Sequence, residues 1–177
     1  MPRAVLDSGV LVSAFLTSEG VSAKLLHLAS KDFFHIYICD EIFKEIKHVL
    51  LEYPHIRKRY YYSNRQVEMF CQGLREVTHL VSKLPTIKVV ISDKNDDMVV
   101  ACAVKAKANY IVTRDEDMLS LSKYRGTKII TPEEFIDIIR KMVLSSDSGL
   151  KGKYILLPLY VRAGRGSGGL HLQNILI

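Results

Sequence analysis

Residues 96–107, Asp-Asp-Met-Val-Val-Ala-Cys-Ala-Val-Lys-Ala-Lys, carry apolar side chains on nearly every side of a helix. Such a helix cannot lie on a surface; it has to pack inside a fold, against a sheet and other helices. Short apolar, β-branched runs at 3–6, 35–39, 86–91, 110–113 and 127–130 supply the strands. Helical stretches fill the spaces between them. Residues 9–31 read as helical, most clearly over 19–30, where Val21, Leu25, Leu26, Leu28 and Ala29 form a stripe. A second helix runs from an Asp40 cap to Tyr53, with Pro54 marking its end, and a third over 63–83 is capped by Ser63 or Asn64. A short helix over 115–122 follows. The last helix runs to about 142 and opens on Thr131-Pro132-Glu133-Glu134, with threonine as cap, proline at the first helical position and glutamate at the third. Alternating strands and helices predict an α/β fold, a three-layer αβα sandwich around a mainly parallel five-stranded sheet over residues 1–142.

Beyond residue 142 the pattern changes. Ser145-Ser146-Asp147-Ser148-Gly149 reads as a linker and Gly164-Arg165-Gly166-Ser167-Gly168-Gly169 as a flexible segment. Residues 153–161 suit an edge strand, since Pro158 bars a central one. The tail 143–177 is expected to be flexible or an oligomerisation arm. It also skews the charge: Lys151, Lys153, Arg162 and Arg165 against Asp147 give it +3 of the chain's +6. The core is only mildly basic, compatible with a polyanionic partner without requiring one. Cys39, Cys71 and Cys102 are odd in number and widely spaced in apolar stretches, which fits small buried side chains rather than zinc or redox work. No run approaches the roughly 18 apolar residues of a membrane span. Asp7 arrives too early for a signal peptide, so the chain is expected to be cytoplasmic.

Against this frame the acidic residues have telling places. Asp7 ends the first strand and Asp115 follows the fourth, and open parallel sheets bind ligands beyond the carboxyl ends of their strands. Asp93, Asp96 and Asp97 crowd the start of the apolar helix. One serves as cap and the helix dipole tolerates a second, but a third is repelled unless a cation offsets it. On the helix after Asp40, Ile42, Ile46, Val49, Leu50 and Tyr53 form the buried stripe. Glu45 lies about 40° past its edge, against about 60° for Glu52 and 80° for Glu41. A partly buried carboxylate is costly unless it is neutralised or binds a cation. Oxygen ligands without a histidine or cysteine cluster suit Mg²⁺ or Mn²⁺, one ion or two.

At these residues the chain resembles the PIN-domain family, in particular the VapC-like toxin nucleases of type II toxin–antitoxin pairs. Ala4-Val5-Leu6-Asp7-Ser8-Gly9-Val10-Leu11-Val12-Ser13-Ala14 is similar to the family's first strand and turn. Residues 40–51, with Glu45 inside, resemble its second motif. Residues 93–103 and 108–119 resemble the third and fourth, and Thr131-Pro132-Glu133-Glu134-Phe135 the start of its last helix. The resemblance implies an Mg²⁺- or Mn²⁺-dependent endoribonuclease, commonly dimeric, with an antitoxin protein as partner. It also implies that Asp7, Glu45, Asp97 and Asp115 are the catalytic and metal-binding acids, with Asp117 a fifth and Ser8 and Thr113 in support. By the same resemblance it selects Asp97 over Asp93 and Asp96. Gly9 stands where many relatives carry asparagine, which leaves an inactive RNA- or protein-binding module as the alternative.

One more stretch suits RNA. Arg57-Lys58-Arg59-Tyr60-Tyr61-Tyr62 interleaves cations with rings that can stack on bases, so Arg57, Lys58 and Arg59 are candidate phosphate contacts. His48, His55 and His79 lack partners at metal spacing.

Overall fold

The computed structural model describes residues 1–88 and 94–145, without the side chains of residues 94 and 95. Its sheet has six strands: β1 Arg3–Leu6, β2 His35–Ile38, β3 Thr78–Leu80, β4 Tyr110–Val112, β5 Lys123–Tyr124 and β6 Thr127–Ile130. Their order is β3-β2-β1-β4-β6-β5. All neighbours are parallel except β5 and β6. Ala4, Val5, Leu6, Ile111 and Val112 have no exposed surface, so the two central strands are covered on both faces, as a parallel sheet requires. The fold class read from the sequence is therefore the one observed, with six strands in place of five.

The two strands not expected from the sequence, β3 and β5, lie at the sheet's edges. β3 falls inside the stretch expected to continue a helix to residue 83. Instead α5, Asn64–Val77, stops where Val77 and Thr78 place two β-branched residues together. The Thr78 hydroxyl donates to the Leu74 carbonyl at 2.7 Å, and Thr78 pairs with Ile36 in the sheet. Of the strand expected at 86–91, residues 86–88 are irregular and 89–91 lie outside the described residues. β5 and β6 are joined by Arg125 and Gly126, both at positive φ, 45° and 94°. Two consecutive positive φ values make the tight reversal of a two-residue hairpin; the arginine at the first of them hides it in the sequence.

The helices depart from expectation mainly at their ends. The stretch 9–31 is two helices, α1 Ser8–Leu16 and α2 Val21–Ser30, bent 98° apart. The break falls at Thr17-Ser18-Glu19-Gly20, where Gly20 N–H donates to the Thr17 carbonyl at 3.1 Å. α3, Asp40–Glu52, starts after Cys39, so Asp40 is its first residue rather than its cap and acts through the helix dipole. Pro54 both closes α3 and opens a short α4, Pro54–Arg59, where its fixed φ suits the first turn. Ser63 caps α5 through a reciprocal pair with Gln66. α6 spans Lys94–Ala106, and α7, Glu116–Ser120, takes Asp115 as its cap. α8 runs over Pro132–Ser145.

α6 lies where its composition demands. Val99, Val100, Ala101, Cys102 and Ala103 are at most 1% exposed, and the helix packs on β1, β2, β4 and α3. Cys39, Cys71 and Cys102 are all free and buried. The Cys39–Cys102 hydrogen bond and burial push the Cys102 thiol far up. By compactness, residues 1–137 form one unit and 138–177 a second. The linker, glycine-rich segment and edge strand expected beyond 145 lie outside the described residues.

Candidate active site

The chain leaves β1 toward β2 on one side, while β4 on the other side leads to β6. The strand order therefore reverses between β1 and β4, and the crevice at their carboxyl ends is where such sheets bind ligands. Asp7 stands at one lip and Asp115 at the other.

Backbone bonds fix Asp7 first. Its N–H donates to Val112 O at 3.0 Å, and its carbonyl accepts from the N–H groups of Val10 and Leu11 at 3.1 Å each. Asp7 occupies the cap position of α1, yet its side chain makes no capping bond. The carboxylate is held by hydroxyls instead: Thr113 Oγ1 donates to Oδ2 at 2.9 Å, and Ser8 Oγ to Oδ1 at 3.3 Å. Thr113 is fully buried and its Oγ1 also accepts from Asp115 N–H at 3.0 Å. One threonine hydroxyl thus ties the two acidic strand ends together. Burial pushes the Asp7 carboxyl above the usual carboxylate range; the Thr113 and Ser8 bonds oppose this, and the nearby Asp115 charge adds to it. Asp115 is exposed, with Oδ1 accepting from Met118 N–H at 2.9 Å to cap α7.

Asp7, Ser8 and Asp115 line a cleft of ≈ 490 Å³ together with Gly9, Val12, Glu45, Val49, Tyr53, Asp96 and Asp117. Glu45 comes from the half-buried flank of α3, Asp96 from the first turn of α6, and Asp117 from α7. Among the described residues the lining holds five carboxylates and no lysine, arginine or histidine. Asp97 is placed elsewhere. It lines the neighbouring groove with Asp40, Glu41 and residues 81–88. Successive helical residues point about 100° apart, which is enough for Asp96 and Asp97 to line different grooves. Asp93 lies outside the described residues.

Other candidates separate in the same way. Arg57 is turned inward: it donates to Leu51 O at 3.3 Å and Asn64 Oδ1 at 2.7 Å, and lies 5.6 Å from the Tyr62 ring centre. Lys58 and Arg59 are exposed on α4. Tyr53, expected in the buried stripe of α3, is 40% exposed and lines the cleft. The helical angle fails there because α3 has already ended at Glu52, ahead of Pro54. His79 has a partner, its Nε2 lying 3.3 Å from His35 Nδ1. Gly9 is exposed at the cleft, and a Cβ there would meet Asp7 Oδ2 at 3.7 Å, an ordinary contact. A side chain fits at Gly9, so steric room is not what sets glycine there.

The donor set suits a hard divalent cation: among the described residues the lining offers carboxylate and hydroxyl oxygens and no protein cation, and Asp7 and Asp115 repel across the strand ends. Among the described residues no three or more His, Cys, Asp or Glu side chains stand together closely enough to hold a metal ion.

The PIN domain family model matches residues 3–117, a span that holds every acid of the cleft. An uncharacterized protein of Methanocaldococcus jannaschii is 28% identical over 149 residues, covering 80% of this chain and 94% of the relative. The chain belongs to the PIN domain family, whose members are generally nucleases that use divalent metal ions.

Proposed function

We propose that the chain is an Mg²⁺- or Mn²⁺-dependent endoribonuclease that hydrolyses RNA phosphodiester bonds at the cleft between β1 and β4. The observation that carries this reading is the pair Asp7 and Asp115, joined through the buried Thr113 hydroxyl at a cleft mouth without a cationic residue among those described. Asp7 and Asp115 would hold the ion, with the acids that open α6 beside them; Asp96 is the one the cleft geometry favours and Asp97 the one the family pattern favours. A bound ion supplies an activated water and charge neutralisation at phosphorus. The protein's share is positional. Thr113 and Ser8 fix the Asp7 carboxylate, Glu45 on α3 orients water or substrate across the cleft, and Asp117 adds charge at its rim. Lys58 and Arg59 offer phosphate contacts outside the acidic lining.

The proposal extends to biology through the likeness of residues 2–142 to toxin nucleases. In that reading the protein is the toxin of a toxin–antitoxin pair, acts in the cytoplasm as a homodimer, and is silenced by a cognate antitoxin protein. Induced expression tests it. Growth arrest that Asp7→Asn abolishes supports a toxin; unimpaired growth at high expression of active enzyme rejects that role and leaves the nuclease chemistry standing.

A further inference from the structure

The cleft wall holds one large ring, and nothing in the acid chemistry accounts for it. Tyr53 sits between the end of α3 and the start of α4, 40% exposed, in the lining that also contains Asp7 and Glu45. A tyrosine serving only the core would be buried. Here two exposed imidazoles flank the ring: His55 stacks on it with centres 5.6 Å apart and planes 23° apart, and His48 meets it edge-on at 5.4 Å. Pro54 fixes the backbone immediately beyond it. The ring is thus preorganised, with exposed surface left over.

Charge adds a second argument. An RNA strand entering this cleft passes five carboxylates, so its phosphates need cations outside the lining. α4 begins at the residue after Tyr53 and presents Lys58 and Arg59 to solvent. Because it is only six residues long, about 9 Å, the cations lie within that axial distance of the helix end that Tyr53 caps. A supported aromatic face beside exposed cations is the arrangement that grips unpaired nucleotides, because a base must leave its helix to stack on a side chain.

We propose that Tyr53 is the base-stacking platform of the cleft, against which an unpaired base of the RNA lies, with Lys58 and Arg59 holding the adjoining phosphates. This rests on the ribonuclease reading above. It makes Tyr53 a substrate-positioning residue, distinct from the acids that act on the phosphodiester.

The chain contains no tryptophan, so Tyr53→Trp installs a single fluorophore at the platform. Binding is measured on the full chain in EDTA, with labelled 12-nucleotide single-stranded RNA, the matching duplex RNA and single-stranded DNA. Single-stranded RNA should quench Tyr53→Trp strongly and duplex RNA should not. The same oligonucleotide should leave Met69→Trp, at a 45% exposed position on α5 away from the lining, unquenched. Tyr53→Ala should weaken single-strand binding roughly tenfold or more, and Tyr53→Phe, which keeps the ring, by less than about twofold. Equal quenching by duplex, equal quenching at Met69→Trp, or wild-type affinity in Tyr53→Ala would overturn the proposal. Tighter binding of single-stranded DNA than RNA would overturn its substrate assignment. The two readings fail separately: quenching without metal-dependent cleavage removes the nuclease and keeps the platform, whereas cleavage indifferent to Tyr53→Ala removes the platform alone.

Discussion

Asp7 bears a charge that the folded chain disfavours. Its folded-state pKa lies above that of the unfolded chain, because burial and the Asp115 charge outweigh the Thr113 and Ser8 hydrogen bonds. The folded protein therefore holds an extra proton in the interval between the two values. Stability falls as pH rises from the ordinary carboxylate range through the raised value, then levels off. In EDTA at neutral pH, Asp7→Asn should melt above wild type, and the gap should close on acidification; each ~1 kcal/mol of relief is worth about 2–4 °C in a chain of this size. Added Mn²⁺ should raise the melting temperature of wild type and not of Asp7→Asn. Thr113→Val removes the hydroxyl between the two acids, leaving Asp115 N–H without its acceptor. A loss of about 1–3 kcal/mol in urea unfolding is expected, with cleavage reduced as well. In the first turn of α6, the cleft geometry predicts that Asp96→Asn loses more cleavage than Asp97→Asn; a greater loss from Asp97→Asn would show that motif position outranks this placement.

Elements show what was legible and what was not. The Glu45 angle on α3 and the all-apolar face of α6 are local periodicities, and both residues' surroundings follow from counting along a helix. The edges of the sheet do not. β3 forms because Thr78, His79 and Leu80 find partners in Ile36, Tyr37 and Ile38, more than forty residues earlier, and such pairing overrides the helical pattern that runs through them. Asp96 and Tyr53 escaped for a related reason: each lies within one or two residues of a helix end, where a shift of one position turns a side chain by about 100°. Caps are more readable. Ser63 accepts Gln66 N–H at 3.2 Å while Gln66 accepts Ser63 N–H at 2.7 Å. Ser63→Ala should lower the urea midpoint by about 1 kcal/mol of stability at unchanged m-value, and leave cleavage untouched. A change in cleavage would mean that α5 bears on the site.

For the molecule as a whole, strand–helix alternation was enough to give the parallel sheet, and with it the reversal of strand order that creates the cleft. The acids of that cleft all lie within residues 1–137, one compact unit. Truncation after Ser145, which keeps α8 intact, should therefore preserve RNA cleavage within a few-fold, and solution mass compared with the full chain reports whether the tail carries dimerisation. The most direct test concerns the acids themselves. Labelled single-stranded RNA is incubated with wild-type protein and with Asp7→Asn, each in Mn²⁺ and in EDTA. Wild type in Mn²⁺ should cleave internally, while EDTA or Asp7→Asn should each lower the rate by at least about 100-fold. Cleavage that persists in EDTA, or that Asp7→Asn leaves unchanged, would contradict a metal-dependent carboxylate site.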